Sequence, residues 1–318
     1  MKKKKKVVAI GGGNGPATTL NALKKFGGQV ELSAVVSMSD SGGSSGELRR
    51  EFKTLPPGDI MRAILSLSPY DFVTLKQIFY KNRFSAAGRL NRHNLGNLFL
   101  VLSAQYDGDY LAAVRALEQA VEAVGHVYPS TLELNDLVAE LDNGEIVRTE
   151  EKIDRPEYDR KRRIRKVWQE PSPLAYHEAV KVLERADYIF LGPGSLHTSI
   201  IATLLPNGIQ EAIARSTAKI VFIPGSIYAA DGETGPTTLS EFVLTLQAYL
   251  PRKIDLVVHN VHPLNKEEKE KYKKREWVVF PADKEKIPEY EVWSREYEKP
   301  VGLFDYDRLA DIFREIII

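Results

Sequence analysis

The sequence predicts a doubly wound, mainly parallel α/β sheet, and three observations carry that prediction. The apolar run Val7-Val8-Ala9-Ile10 enters the glycine cluster Gly11-Gly12-Gly13-Asn14-Gly15, and a helical pattern follows with Leu20, Leu23 and Phe26 on one face. Asp187-Tyr188-Ile189-Phe190-Leu191 repeats that order, entering Gly192-Pro193-Gly194-Ser195 and then a helix through Ile200 and Leu204. Further strand–loop–helix units follow the same alternation, which is the pattern that builds a parallel sheet.

The composition bounds the rest. With 318 residues, 43% of them hydrophobic, the chain can bury a large core, and a single domain over 1–318 is expected. A net charge of +1 gives no global electrostatic footprint for nucleic acid, and Lys2 to Lys6 reads as a solvated terminus. The short apolar stretch after those lysines is broken by glycines, so no secretory signal is expected. No run reaches the roughly 20 apolar residues that span a bilayer. The absence of cysteine excludes disulfides, thiolate metal sites and a Cys nucleophile, and the expected location is the cytoplasm.

Taken in order, the first turn reads as a phosphate-binding loop: glycines let backbone N–H groups approach an anion, and Pro16 suits a first helical turn. Gly12, Gly13, Asn14 and Gly15 are its candidates. Tight strand–helix packing is the competing explanation of the same glycines. The dinucleotide fingerprint is broken by Pro16, and no Gly-Lys-Ser/Thr follows to make a Walker loop.

Glu31 to Met38 is the second strand. It runs into Asp40, then into Gly42, Gly43, Ser44 and Ser45, a second loop of small donors at the head of a helix. Asp40 can accept from a sugar hydroxyl, hold Mg²⁺ or cap that helix. It stands at position 40 against Gly11, farther than the ~20 residues expected of a ribose-binding acid. Asp59 is placed to cap a helix through Met61, Ile64 and Leu65, and Arg62 in its first turn faces either an anion or a surface acid.

Residues 70–124 read as wholly helical, part of a helical insertion over about 60–125. It carries His93, Asn94 and Asn97, with the two asparagines one turn apart and able to face one ligand. A lone histidine is more often structural than ligand-binding, and His93 reads so first. Asp142-Asn143-Gly144 between apolar runs signals a hairpin in a β excursion over about 127–168. The basic, acid-diluted stretch from Asp154 to Lys166 reads as a solvated loop and then a strand. The second glycine turn offers Gly192, Gly194, Ser195 and Thr198 to an anion. Ser195 lacks a nucleophile elbow, so acyl-transfer chemistry is not expected there. Strands at Lys219 to Pro224, Ile254 to Asn260 and Trp277 to Phe280 and a terminal helix from Tyr306 complete the pattern.

Six stretches together resemble the YvcK/CofD family: Gly11 to Gly15, Ser39 to Gly46, Pro56 to Ile60, His93 to Leu98, Gly192 to Ser199, and Gly232-Glu233-Thr234. They stand in the family's order. Gly-Gly-Ser-Ser-Gly, Pro-Pro-Gly-Asp-Ile and Gly-Pro-Gly-Ser-Leu look like the YvcK, gluconeogenesis-factor branch rather than CofD, the 2-phospho-L-lactate transferase of coenzyme F420 synthesis. The resemblance implies a Rossmann-like fold, a cytoplasmic protein binding a nucleotide sugar such as UDP-N-acetylglucosamine, and a role in carbon metabolism, cell-wall precursor supply and cell shape. It would set Gly12, Gly13 and Asn14 on the diphosphate, Asp40 and Gly42 to Ser45 along the cleft, Asn94 and Asn97 from the insertion, and Gly194, Ser195 and Thr198 on the far side. Two positions depart from the family: Asn14 stands where Thr is usual, and Asp40-Ser41 where Asp-Asp is usual. Asn retains a polar contact, whereas the lost carboxylate weakens any Mg²⁺-assisted transfer.

The leading expectation is therefore a non-catalytic or weakly catalytic regulator that binds a UDP-sugar or other nucleotide, with no cofactor assigned unless Mg²⁺ serves a transferase, and a homodimer on base rates. The alternative is a CofD-like transferase moving a phospholactyl-type group from a nucleotide diphosphate donor to a deazaflavin. There Asp40 would hold Mg²⁺ or act as base, and His93 or Arg62 would steady the leaving phosphate. An NAD(P) oxidoreductase is disfavoured by Pro16 and the displaced acid.

Overall fold

The computed structural model describes residues 3–85, 88–299 and 303–318. Its strands are β1 (Lys5–Gly11), β2 (Val30–Val36), β3 (Gly125–Pro129), β4 (Asp136–Leu141), β5 (Ile146–Arg148), β6 (Ile164–Glu170), β7 (Tyr188–Leu191), β8 (Lys219–Gly225), β9 (Ile227–Ala229), β10 (Leu256–Asn260), β11 (Trp277–Val279) and β12 (Val292–Arg295), with a short antiparallel pair, β13 (Glu298–Lys299) and β14 (Leu303–Phe304). Seven of them form one sheet in the order β12-β10-β8-β7-β1-β2-β3, and every neighbouring pair is parallel.

The strands are apolar throughout because both faces are covered. Val7 and Ala9 of β1, Phe190 of β7 and Val221 of β8 enter one core with Leu20, Ile60, Ile64 and Phe313. Val8 and Ile10, Ile189 and Leu191, and Ile220 and Phe222 enter the other with Leu183, Leu196 and Val243. The period of two along each strand sends alternate side chains into alternate layers. The expected doubly wound, Rossmann-like class is what the chain adopts.

From β1 the chain builds outward through β2 to β3. It then returns to the other side of β1 at β7 and builds outward again. The direction reverses between β1 and β7, so a crevice opens beyond the carboxyl ends of those two strands, where ligands bind in open α/β sheets. The two glycine turns follow those same two strands.

Several elements differ from expectation. The stretch 70–124 is not continuously helical. Helical residues 72–81 and the helices Leu95–Asp107 and Tyr110–Ala120 are not joined: Arg83 and Asn94 form an isolated antiparallel bridge between the first two, and Gly108 and Asp109 stand between the second and third. Asn94 breaks the helix there and caps the next one, its side chain accepting from Asn97 N with an extended backbone. β3 and β12 are the edges of the main sheet, and neither carried a strong periodic signal. The hairpin β4–β5 is present and pairs with β6 in a separate antiparallel sheet. A short helix, Glu150–Asp154, precedes the basic loop, and Trp277–Val279 pairs antiparallel with β9 outside the main sheet.

Candidate functional site

A cleft of about 1060 Å³ runs along the carboxyl edge of the sheet. Gly12, Gly13, Asn14, Gly15, Asp40, Asp59, Arg62, Gly194, Ser195 and Thr198 line it; Gly42, Gly43, Ser44, Ser45, His93, Asn94, Asn97 and Gly192 do not.

At the first turn, helix Gly15–Leu23 begins with Pro16 in its first turn, and Asn14 occupies the capping position without a side-chain capping bond. Its Oδ1 accepts instead from Lys76 Nζ at 3.3 Å. Lys76 reaches across from the helical insertion and lines the cleft beside Arg62. Burial first, and then the Arg62 charge, lower its pKa. Two glycines here have a packing reason as well. A Cβ on Gly15 would lie 1.7 Å from the Pro193 carbonyl oxygen, and one on Gly12 would lie 2.6 Å from Asp59 Oδ2. The competing packing explanation of the cluster therefore holds at Gly15, where the two turns touch.

The second turn is occupied from within. Glu233 carries its carboxylate to the head of helical residues 196–204, accepting from His197 N at 3.0 and 3.2 Å and from Thr198 N at 3.0 Å. Burial opposes its charge, but the bonds and charge of His197 and the bond from Thr198 outweigh burial and lower its pKa. The Thr198 side chain bonds Asp154, whose carboxyl is pushed up to about 6 by burial and then by the Glu233 charge. The loop carrying Glu233 is pinned from outside: Tyr158 Oη and Thr234 Oγ1 are 2.9 Å apart, and Arg160 donates to the carbonyls of Ala230 and Gly232. Gly192 sits behind the turn, its carbonyl accepting from Thr19 Oγ1 at 2.8 Å.

The opposite corner is acidic. Asp59 does not cap its helix, because Gly58–Leu67 starts one residue earlier with Pro57 in the capping position. Asp59 pairs with Arg62, which also donates to Tyr80 Oη at 3.1 Å. Burial disfavours the Arg62 charge, yet Asp59, Tyr80 and Asp40 outweigh it and raise its pKa; its buried Nε has no partner among the described residues. Asp40 accepts from Gly42 N at 3.0 Å, shaping the turn into helix Gly43–Phe52, and it also bonds Ser45. Burial and then the Asp59 charge push it up to about 6, while burial and then the Asp40 charge push Glu150 up to about 9. Among the described residues no three His, Asp or Glu side chains converge as metal ligands.

Ser44, His93 and Asn97 form a separate buried cluster. His93 Nδ1 lies 2.9 Å from Ser44 Oγ, and Asn97 Nδ2 donates to that same oxygen at 3.0 Å. Asn94 packs beside Asn97 as its cap. These residues brace helix Gly43–Phe52 from behind, and Ser45 links the brace to Asp40.

Sequence reasoning did not single out Lys76, Glu150 or Asp154, and it placed Glu233 only within a motif. Lys76 lies within an amphipathic helical run, where a lysine reads as surface. Glu150 lies on a five-residue helix with no periodic signature.

A seven-stranded parallel sheet with glycine turns at its switch point defines a Rossmann-like α/β protein. The family model described as 2-phospho-L-lactate transferase CofD matches residues 7–297. A Thermotoga maritima relative is 37% identical over 282 residues, covering 89% of this chain and 87% of its own. The gluconeogenesis factor of Bacillus subtilis is 35% identical over 274 residues, covering 86% and 84%. A crystal structure of a UPF0052-family protein from Bacillus halodurans matches with a TM-score of 0.90 at 30% identity, over 99% of this chain and 100% of that one. The chain belongs to the CofD family, among its gluconeogenesis-factor, YvcK-type relatives. No helix among the described residues is long and apolar enough to cross a membrane.

Proposed function

We propose that this protein binds a nucleotide sugar of the UDP-N-acetylglucosamine type in the switch-point cleft and acts as a cytoplasmic, homodimeric regulator of carbon metabolism, cell-wall precursor supply and cell shape. The observation that carries the binding is the open first turn. An uncapped helix N-terminus, with Lys76 and the partly unpartnered Arg62 beside it, is suited to a diphosphate. The cleft volume matches a ligand of that size. The regulatory role draws its support from the names of the relatives.

A transferase reading draws on the family description and on the acidic corner. Asp40 and Asp59 offer the hard oxygen donors Mg²⁺ prefers, and one or two carboxylates suffice when phosphates complete the shell. A bound Mg²⁺ would neutralise charge on a transferring phosphate. Asp40, whose carboxyl is pushed up to about 6, could hold or release a proton, while Arg62 would orient phosphate.

Calorimetric titration with UDP-N-acetylglucosamine, with and without Mg²⁺, tests the first reading. Saturable, Mg²⁺-independent binding without turnover of the sugar nucleotide is expected. Absence of binding would overturn it, and Mg²⁺-dependent turnover with a deazaflavin acceptor would establish the second.

A further inference from the structure

A doubly wound nucleotide site ordinarily reads its ribose with an acid at the end of the second strand. Here that acid, Asp40, is engaged with Gly42 and Ser45 and lies in the crowded acidic corner with Asp59 and Glu150. Another carboxylate stands at the other end of the cleft. Glu298 lines it beyond the end of β8, yet the residue is only 4% exposed. Its Oε1 accepts from Ser226 Oγ at 2.7 Å and its Oε2 from Tyr272 Oη at 3.0 Å. Ser226 Oγ in turn accepts from Asn260 Nδ2 at 3.2 Å, which fixes the hydroxyl to donate toward Glu298. Burial first, and then the negative charge of Glu298, hold the Tyr272 pKa above its ordinary range, so its proton stays on the oxygen as a donor.

Glu298 forms no ion pair with any Lys, Arg or His among the described residues. A buried carboxylate without a cation is costly unless hydrogen bonds compensate. Among the described residues each oxygen of Glu298 receives one bond, whereas a carboxylate can accept about four. Glu298 lines the same cleft as the first glycine turn. β8 stands two strands from β1, so the ends of those two strands lie roughly 10 Å apart at sheet spacing. A nucleoside diphosphate is long enough to bridge such strand ends.

We infer that Glu298, held by Ser226 and Tyr272, receives the vicinal 2′- and 3′-hydroxyls of the ligand's ribose. The inference rests on the nucleotide-sugar reading of the cleft and gives the ligand a direction. The nucleoside lies toward β8, near Tyr228 and Trp277, and the transferred or sensed sugar lies toward Asp40.

The test is competition against UDP-N-acetylglucosamine by UDP and by 2′,3′-dideoxy-UDP. The wild-type protein should bind the dideoxy compound roughly tenfold or more weakly, since two charge-assisted bonds are lost. Glu298→Gln keeps the shape and one acceptor oxygen for Ser226 or Tyr272, while the other hydroxyl must turn to accept from the amide. It should lower UDP affinity and bring the ratio between the two probes toward one, with a cooperative thermal melt showing that the variant is folded. Equal competition by both probes in the wild-type protein would overturn the ribose assignment while leaving the nucleotide-sugar reading intact. A ratio undiminished in Glu298→Gln would do the same. No binding of UDP-N-acetylglucosamine at all would remove that reading and this inference together.

Discussion

The two glycine turns share a design and differ in what fills them. Each follows an inner strand of the sheet, each opens a helix, and each presents small residues at the switch point. At the first, the helix start has no side-chain cap, and Asn14 is drawn toward Lys76. At the second, Glu233 already satisfies the N–H groups of His197 and Thr198. A helix N-terminus attracts negative charge whether that charge belongs to a ligand or to the protein. The comparison teaches that a strand–glycine–helix signature marks a place for an anion without saying whose anion it is.

The sharpest way to break the comparison is at the contact between the turns. Gly15→Ala would drive its Cβ to within 1.7 Å of the Pro193 carbonyl oxygen, a backbone atom with no side-chain freedom to yield. The turns must then separate. We expect a loss of about 3 kcal/mol of stability, seen as a lowered thermal midpoint, together with loss of nucleotide-sugar binding by calorimetry. A variant with unchanged melting and affinity would show that the turns do not depend on their contact.

Of similar size is the effect of removing the internal anion. Glu233→Ala leaves two buried N–H groups without their acceptor, at about 1–3 kcal/mol each. Phosphate should then raise the melting midpoint of the variant more than that of the wild-type protein, because the emptied turn becomes an anion site. Glu233→Gln sharpens the electrostatic part. The folded protein lowers the Glu233 pKa, so the charge contributes stability that is complete above the unfolded value and is lost as pH falls through the folded one. The stability gap between wild type and Glu233→Gln should therefore be flat near neutrality and close in acid. A gap that widened as pH fell would contradict the lowered pKa.

The same pair of turns shows what the sequence could carry. Alternating apolar runs such as Val7 to Ile10 and Ile189 to Leu191 specify buried parallel strands, and the pattern of two explains both cores, so the fold class was legible. The edge strands were not: Gly125–Pro129 contains glycine and proline, and Val292–Arg295 is short and half-buried. The lone helical insertion misled because Asn94 looks the same within a helix and at its start until its backbone is seen. In the cleft, Gly12 to Asn14 follow from local spacing. Glu233 does not, because it meets His197 across 36 residues and its loop is held by Tyr158 and Arg160 from the basic loop before β6. Contacts that depend on chain return leave no local periodicity to read.

The smallest expected effect lies at Asn14 and bears on whether the first turn is open for a ligand. The Asn14–Lys76 contact is long and exposed, so Asn14→Ala should change stability by less than about 0.5 kcal/mol. Its cost should fall on binding instead. Losing one amide contact to a diphosphate is worth about 0.5–1.5 kcal/mol, roughly a 2- to 12-fold drop in affinity. Asn14→Thr, which installs a hydroxyl, should retain most of the affinity. Asn14→Asp should lose more than Asn14→Ala, because its carboxylate would hold Lys76 as a rival anion. That last variant would make the first turn resemble the second, with a protein carboxylate standing where a phosphate is expected. If calorimetry instead ranks Asn14→Asp at or above wild type, the first turn is not where the phosphate binds, and the difference between the two turns has no bearing on the ligand.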